Sequence, residues 1–155
     1  MSKHVHRRAA VHLRLERWQR YGVYATCGWL TLTGLLWIAA HFFWRVPGEF
    51  GETISPWEAR AMQLHGIGAM LILFLAGGLL NMHIRRALKT DRNRTSGWGM
   101  IALLLALAFS GYGLYYLTNE VTRPAWSTVH WVIGVGFPLL LFVHVVLGRK
   151  SRQHG

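Results

Sequence analysis

The chain has 155 residues, 52% of them hydrophobic and 15% charged, with a formal net charge of +11. That length allows one compact unit, and the balance excludes an ordinary soluble domain, in which about 25% of residues are charged. A single cysteine, Cys27, excludes an intramolecular disulfide framework and a four-cysteine cluster.

All 23 charged residues (17 basic plus 6 acidic) lie outside four windows, 21–44, 61–84, 95–119 and 124–148. Each window holds 24 or 25 residues, more than the roughly 20 that a helix needs to span a bilayer. Backbone groups in lipid must be satisfied internally, so helices are expected; barrel strands would be about half as long and would alternate in polarity. The sequence therefore predicts an all-α, four-helix transmembrane bundle over 21–148, preceded by a basic segment 1–20 and followed by a basic tail 149–155.

The charges between windows orient the bundle. Segments 1–20, 85–94 and 149–155 sum to +5, +4 and +3, whereas 45–60 and 120–123 sum to −1 and zero. Under the positive-inside rule both termini and the 85–94 loop are cytoplasmic, which predicts a multi-pass membrane protein in contact with lipid. Topology accounts for the sign of every segment, so the basic charge does not call for nucleic acid.

In chain order, residues 1–20 mix Val5, Ala9, Val11, Leu13, Leu15 and Trp18 with basic residues, the pattern of a short amphipathic helix at the interface. His4, His6 and His12 belong to that solvated segment. Helix 1, about 21–44, has Thr33-Gly34 at its middle, a small notch for a helix or a planar ligand, and His41 near its outer end. The loop 45–60 is predicted to turn at Pro47-Gly48. Ser55-Pro56-Trp57-Glu58 then reads as an N-cap, a first-turn proline and an early acid, so helix 2 begins before the membrane. Helix 2 contains His65 and His83, and helix 3, about 98–117, has no histidine but repeats the notch as Ser110-Gly111. Helix 4 opens at Pro124 and holds His130 and His144.

His130 and His144 are fourteen residues apart, about 21 Å along a helix and within about 40° of one face. His65 and His83 are eighteen apart, five regular turns or about 27 Å, which also predicts one face. Helices 2 and 4 both run from outside to inside. This pairs outer His65 with outer His130 and inner His83 with inner His144. The two halves of the chain echo each other: Thr33-Gly34 then His65-Gly66-Ile67-Gly68, and Ser110-Gly111 then His130 with Gly134-Val135-Gly136.

Ionisable groups inside a bilayer are costly and face the bundle interior with a partner. Two neutral imidazoles can ligate one haem iron from opposite faces of the porphyrin, satisfying their nitrogens and filling the gap between helices with an apolar disc. His65, His130, His83 and His144 are therefore the candidate cofactor and metal ligands, for two bis-histidine b haems. Such haems have no open coordination position and favour electron transfer. The propionates would find Arg45, Arg60 and Arg123 outside and Arg85, Arg86, Arg149 and Lys150 inside. Pro138, between the two helix-4 histidines, is a candidate kink.

These residues resemble small bacterial membrane di-haem b-type cytochromes, especially the cytochrome b subunits of formate dehydrogenases and nickel-iron hydrogenases. The resemblance covers about 21–148 and rests on His65-Gly66, on His130 and His144, and on Thr33-Gly34 and Ser110-Gly111. It implies an outer haem between His65 and His130, an inner haem on His144, quinone reduction on the cytoplasmic side, and an electron-transfer role within a membrane oxidoreductase complex. The implied partners are quinone and a redox subunit of dehydrogenase, hydrogenase or cytochrome c type. The family usually supplies the second inner ligand from the start of helix 1, where this chain has Arg20-Tyr21. His83 is the substitute, four residues beyond the fourteen-residue register at Leu79, with His12 and His41 in reserve. The alternative function is a haem-free four-helix scaffold or regulatory subunit of a larger complex. A transporter is disfavoured because no Asp or Glu falls in the four windows.

Overall fold

The computed structural model describes residues 15–85 and 94–153. Four long helices account for most of them: α1 (Arg17–Phe43), α2 (Pro56–Leu79), α3 (Arg94–Tyr116) and α4 (Arg123–Gln153). All four are long and apolar enough to cross a membrane. The shortest has 23 residues, about 35 Å at 1.5 Å per residue against a hydrocarbon layer of about 30 Å. Large apolar side chains such as Leu32, Phe74, Leu139 and Phe142 point outward from mid-helix, as a lipid solvent permits. The chain is thus a four-helix bundle with the architecture of a multi-pass membrane protein.

The helices form two antiparallel hairpins, α1 with α2 and α3 with α4, which meet chiefly through α1 and α4. Glycine sets the close approach within each hairpin. A Cβ on Gly68 would stand 2.8 Å from the Trp29 ring and 2.9 Å from a Leu30 methyl. One on Gly113 would overlap the Trp126 ring. Trp29 also donates its indole N–H to the Leu64 carbonyl at 2.9 Å, tying α1 to α2.

The connections at one end of the bundle are well defined. Ser55 caps α2: its hydroxyl accepts from the Trp57 N–H at 3.4 Å and its carbonyl from the Glu58 N–H at 3.0 Å. Ahead of it, β1 (Val46–Gly48) and β2 (Gly51–Thr53) pair antiparallel. The expected turn at Pro47-Gly48 is therefore displaced. Those residues lie in β1, and the chain reverses at Glu49-Phe50, because Gly51 takes a φ of 120° that other residues resist. Between α3 and α4, the Asn119 side-chain oxygen accepts from the Thr122 N–H and hydroxyl at 2.9 and 3.0 Å, closing a short turn. We call this the hairpin end. The opposite, basic end carries Arg17 and Arg20 of α1, Arg85, Arg94 of α3, and Arg149 and Lys150 of α4. The proposed interfacial helix falls mostly on residues 1–14, outside the described part; α1 itself begins at Arg17.

The core lies at mid-depth. Cys27 of α1, Ile72 of α2 and Phe137 of α4 are buried together, surrounded by Val23, Leu30, Met100, Leu103, Leu104, Leu107 and Leu141. Phe137 is seven residues from both His130 and His144, so an apolar layer separates the two histidine levels. Pro138 does not interrupt α4, which remains helical throughout its 31 residues.

The regular pitch of α2 ends at Leu79. After Leu79 the helix changes to a π turn, Leu80–Ile84, in which the Arg85 N–H donates to the Leu80 carbonyl. A π turn accommodates one extra residue. His83 is thus displaced by up to about 100° from the face that five regular turns would give it. The expectation that His65 and His83 share one face of an unbroken helix is corrected accordingly.

Candidate haem site between the helix hairpins

His65 and His130 meet across the interface of the two hairpins, their ring centroids 6.2 Å apart and their planes at 77°. Each ring is held from behind by the helix it pairs with. His65 Nδ1 is 3.0 Å from the Thr33 hydroxyl on α1, and His130 Nδ1 is 2.8 Å from the Ser110 hydroxyl on α3. The residue after each hydroxyl is glycine, and it faces the ring edge. A Cβ on Gly34 would lie 3.6 Å from His65 Cε1, and one on Gly111 would lie 3.4 Å from His130 Cε1. The two halves of the site are the same device built twice, a hydroxyl and a glycine on one helix with a histidine on the next.

The second level lies toward the basic end. His144 Nδ1 is 2.9 Å from the Ser96 hydroxyl on α3. His83 lies on the π turn at the same, basic end of the bundle. Of the four histidines expected to work together, His65 and His130 stand side by side, while His83 and His144 both lie toward the basic end. The four-residue difference in spacing amounts to about 6 Å of rise, and α4 stays helical through Pro138.

Ser96 was not among the residues that the sequence singled out. The signal was present: Ser96-Gly97 precedes Ser110-Gly111 by fourteen residues, the same interval as His130 to His144. Because α3 and α4 are antiparallel, that shared interval places each serine opposite one histidine. A second unforeseen feature is the partner of His41. Its Nδ1 lies 3.1 Å from Glu58 Oε2, and its ring stacks on Trp37 at 4.7 Å with the planes 14° apart. The Ser55-x-x-Glu58 spacing would let this carboxylate fold back to cap its own helix, but it reaches across to α1 and is buried there. His41 is at the hairpin end, opposite to His144, which removes it as the reserve ligand of the basic-end pair. His12, the other reserve, lies outside the described residues.

The arginines divide by position. Arg45, Arg60 and Arg123 flank the hairpin end, with the Arg60 guanidinium over the Trp57 ring at 5.3 Å. Arg85, Arg149 and Lys150 flank the basic end, and Arg86 lies outside the described residues. A surface groove between the end of α1 and the start of α2, lined by Phe43, Trp44 and Trp57, contains none of the four histidines.

The geometry of the His65–His130 pair fits an axially ligated metal. Two metal–nitrogen bonds of about 2 Å, plus about 1 Å from each nitrogen to its ring centre, require centroids about 6 Å apart. Among the described residues no group of three or more His, Cys, Asp or Glu converges. No protein-family model, curated protein or solved structure matches the chain.

Proposed function

We propose that this chain is a membrane b-type cytochrome subunit that carries electrons between two bis-histidine haems. His65 and His130 would hold one haem, and His83 and His144 the other. The observation that supports this reading most is the 6.2 Å separation of two imidazoles donated by different helix hairpins, the spacing that one shared metal requires.

Haem supplies a reversible one-electron couple, and with two imidazoles bound it offers no position for oxygen or substrate. The chain's own contribution is positional. The hydroxyls of Thr33, Ser110 and Ser96 hold the rings from behind, and Cys27, Ile72 and Phe137 keep water out of the layer between the levels. The flanking arginines and Lys150 offer counter-charges for carboxylates at both membrane faces. With the basic end in the cytoplasm, the hairpin end would face an extracytoplasmic redox subunit of dehydrogenase, hydrogenase or cytochrome c type. The basic end would then exchange electrons with quinone in a bacterial inner membrane.

The test is the reduced-minus-oxidised visible spectrum of the purified chain in mild detergent. A sharp α-band of low-spin b haem is expected, at two haems per folded chain. A folded chain with no such band would sink the proposal.

A further inference from the structure

The hydrogen bonds behind the rings decide more than orientation. A hydroxyl has one hydrogen to give. The Thr33 hydroxyl lies 2.8 Å from the Trp29 carbonyl oxygen and 3.2 Å from that of Leu30. Two oxygens approach to 2.8 Å favourably only with a hydrogen between them, so the Thr33 hydrogen is committed to its own helix. Its oxygen is then the acceptor from His65, and Nδ1 carries the ring proton. The same logic holds across the bundle. Ser110 donates to the Leu107 carbonyl at 3.2 Å and accepts from His130 Nδ1 at 2.8 Å.

With Nδ1 protonated, the neutral imidazole presents a bare lone pair on Nε2. Both rings of the hairpin-end pair are thereby set as lone-pair donors. Two bare lone pairs in a dry interface satisfy each other poorly, whereas an electron-poor metal between them satisfies both. Ser96 places a hydroxyl in the same position behind His144, 2.9 Å from its Nδ1.

We infer that Thr33, Ser110 and Ser96 are positioning residues that lock His65, His130 and His144 in the Nδ1–H tautomer and tune the electron density those rings give to iron. The inference rests on the haem reading of the site. An Nδ1–H bonded to an acceptor makes the ring a stronger donor, which favours ferric over ferrous iron. Loss of the acceptor therefore raises the midpoint potential of the haem concerned. The effect is specific by level: Thr33 and Ser110 act on the hairpin-end haem, and Ser96 acts on the basic-end haem.

The experiment is a spectroscopic redox titration of the haem-loaded protein, with electron paramagnetic resonance of its ferric form, for wild type, Thr33→Val, Ser110→Ala and Ser96→Ala. Thr33→Ser and Ser110→Thr serve as hydroxyl-retaining controls. The first two variants are expected to raise one midpoint potential, changing the ferric-to-ferrous ratio at fixed potential by up to about tenfold, or 59 mV for one electron. Ser96→Ala is expected to raise the other. The ferric signal of the affected haem should change, because its ligand planes are no longer held, and the hydroxyl-retaining variants should return the wild-type values.

Unchanged potentials and signals in all three variants would overturn the inference. So would loss of haem from Thr33→Ser and Ser110→Thr as much as from Thr33→Val and Ser110→Ala, since shape would then matter and not the hydroxyl. If wild type binds no haem, the haem reading fails by itself. Nitrogen-15 spectra of the histidine-labelled chain then read the tautomers directly. Nδ1–H signals for three histidines uphold the lock, and Nε2–H signals overturn it.

Discussion

The two histidine levels are built differently. At the hairpin end each ring comes from a regular helix and is backed by the same hydroxyl-glycine device on its neighbour, so the pair has a near two-fold character. At the basic end only the α3–α4 half repeats the device, with Ser96 behind His144. The α1–α2 half has Gln19 and Leu79 where exact repetition would put a hydroxyl and a histidine. It delivers His83 instead from a π turn. One level is thus made by duplication of a rigid motif and the other by a local change of helix pitch. The first should tolerate shifts elsewhere in the chain, and the second should depend on a single turn of backbone.

The largest expected effect separates the levels outright. His144→Ala is expected to remove the basic-end haem and leave the hairpin-end haem bound, read as a fall from two haems to one per chain. Equal loss of both would show that the levels fold as one unit. Next in size, deletion of Leu80 removes the extra residue of the π turn and turns His83 away by about 100°. Loss of the basic-end haem alone is expected, and retention of both haems would show that the π turn does not set this site.

Smaller effects concern the frame. Gly68→Val puts a Cβ 2.8 Å from the Trp29 ring and 2.9 Å from a Leu30 methyl, with two further methyls beyond it. Overpacking of this kind costs about 1–3 kcal/mol, so thermal unfolding in detergent should move down, and an unchanged midpoint would mean that α1 and α2 do not pack this closely. The smallest effect is expected at Glu58. Glu58→Gln keeps a hydrogen-bonding group opposite His41 while removing its charge. A stability change below about 1 kcal/mol is expected, with both haem potentials nearly unmoved; a large shift in the hairpin-end potential would give this pair a role in the redox site.

The bundle was legible because charge segregation is a strong signal: four uncharged windows separated by charged loops predict four spans with little ambiguity. The histidine levels were legible for a related reason, since a polar residue in such a window stands out and helical arithmetic supplies its height. What composition could not show was pitch. A helix apolar on all sides has no polar stripe whose drift would betray one inserted residue, so the π turn beneath His83 left no trace. Ser96 was hidden by its place beside the basic loop, where a serine reads as a helix start and not as a ring partner. The hairpin at Val46–Thr53 and the reach of Glu58 to His41 depend on contacts across loops, which local patterns do not encode.

The central claim, that His65 and His130 are the two axial ligands of one haem, is tested most directly by counting haem in His65→Ala, His130→Ala and the double variant. If the two share a haem, each single variant and the double variant retain one haem per chain, with the same midpoint potential in all three. Single variants that lose different haems, and a double variant that has none, would contradict the account.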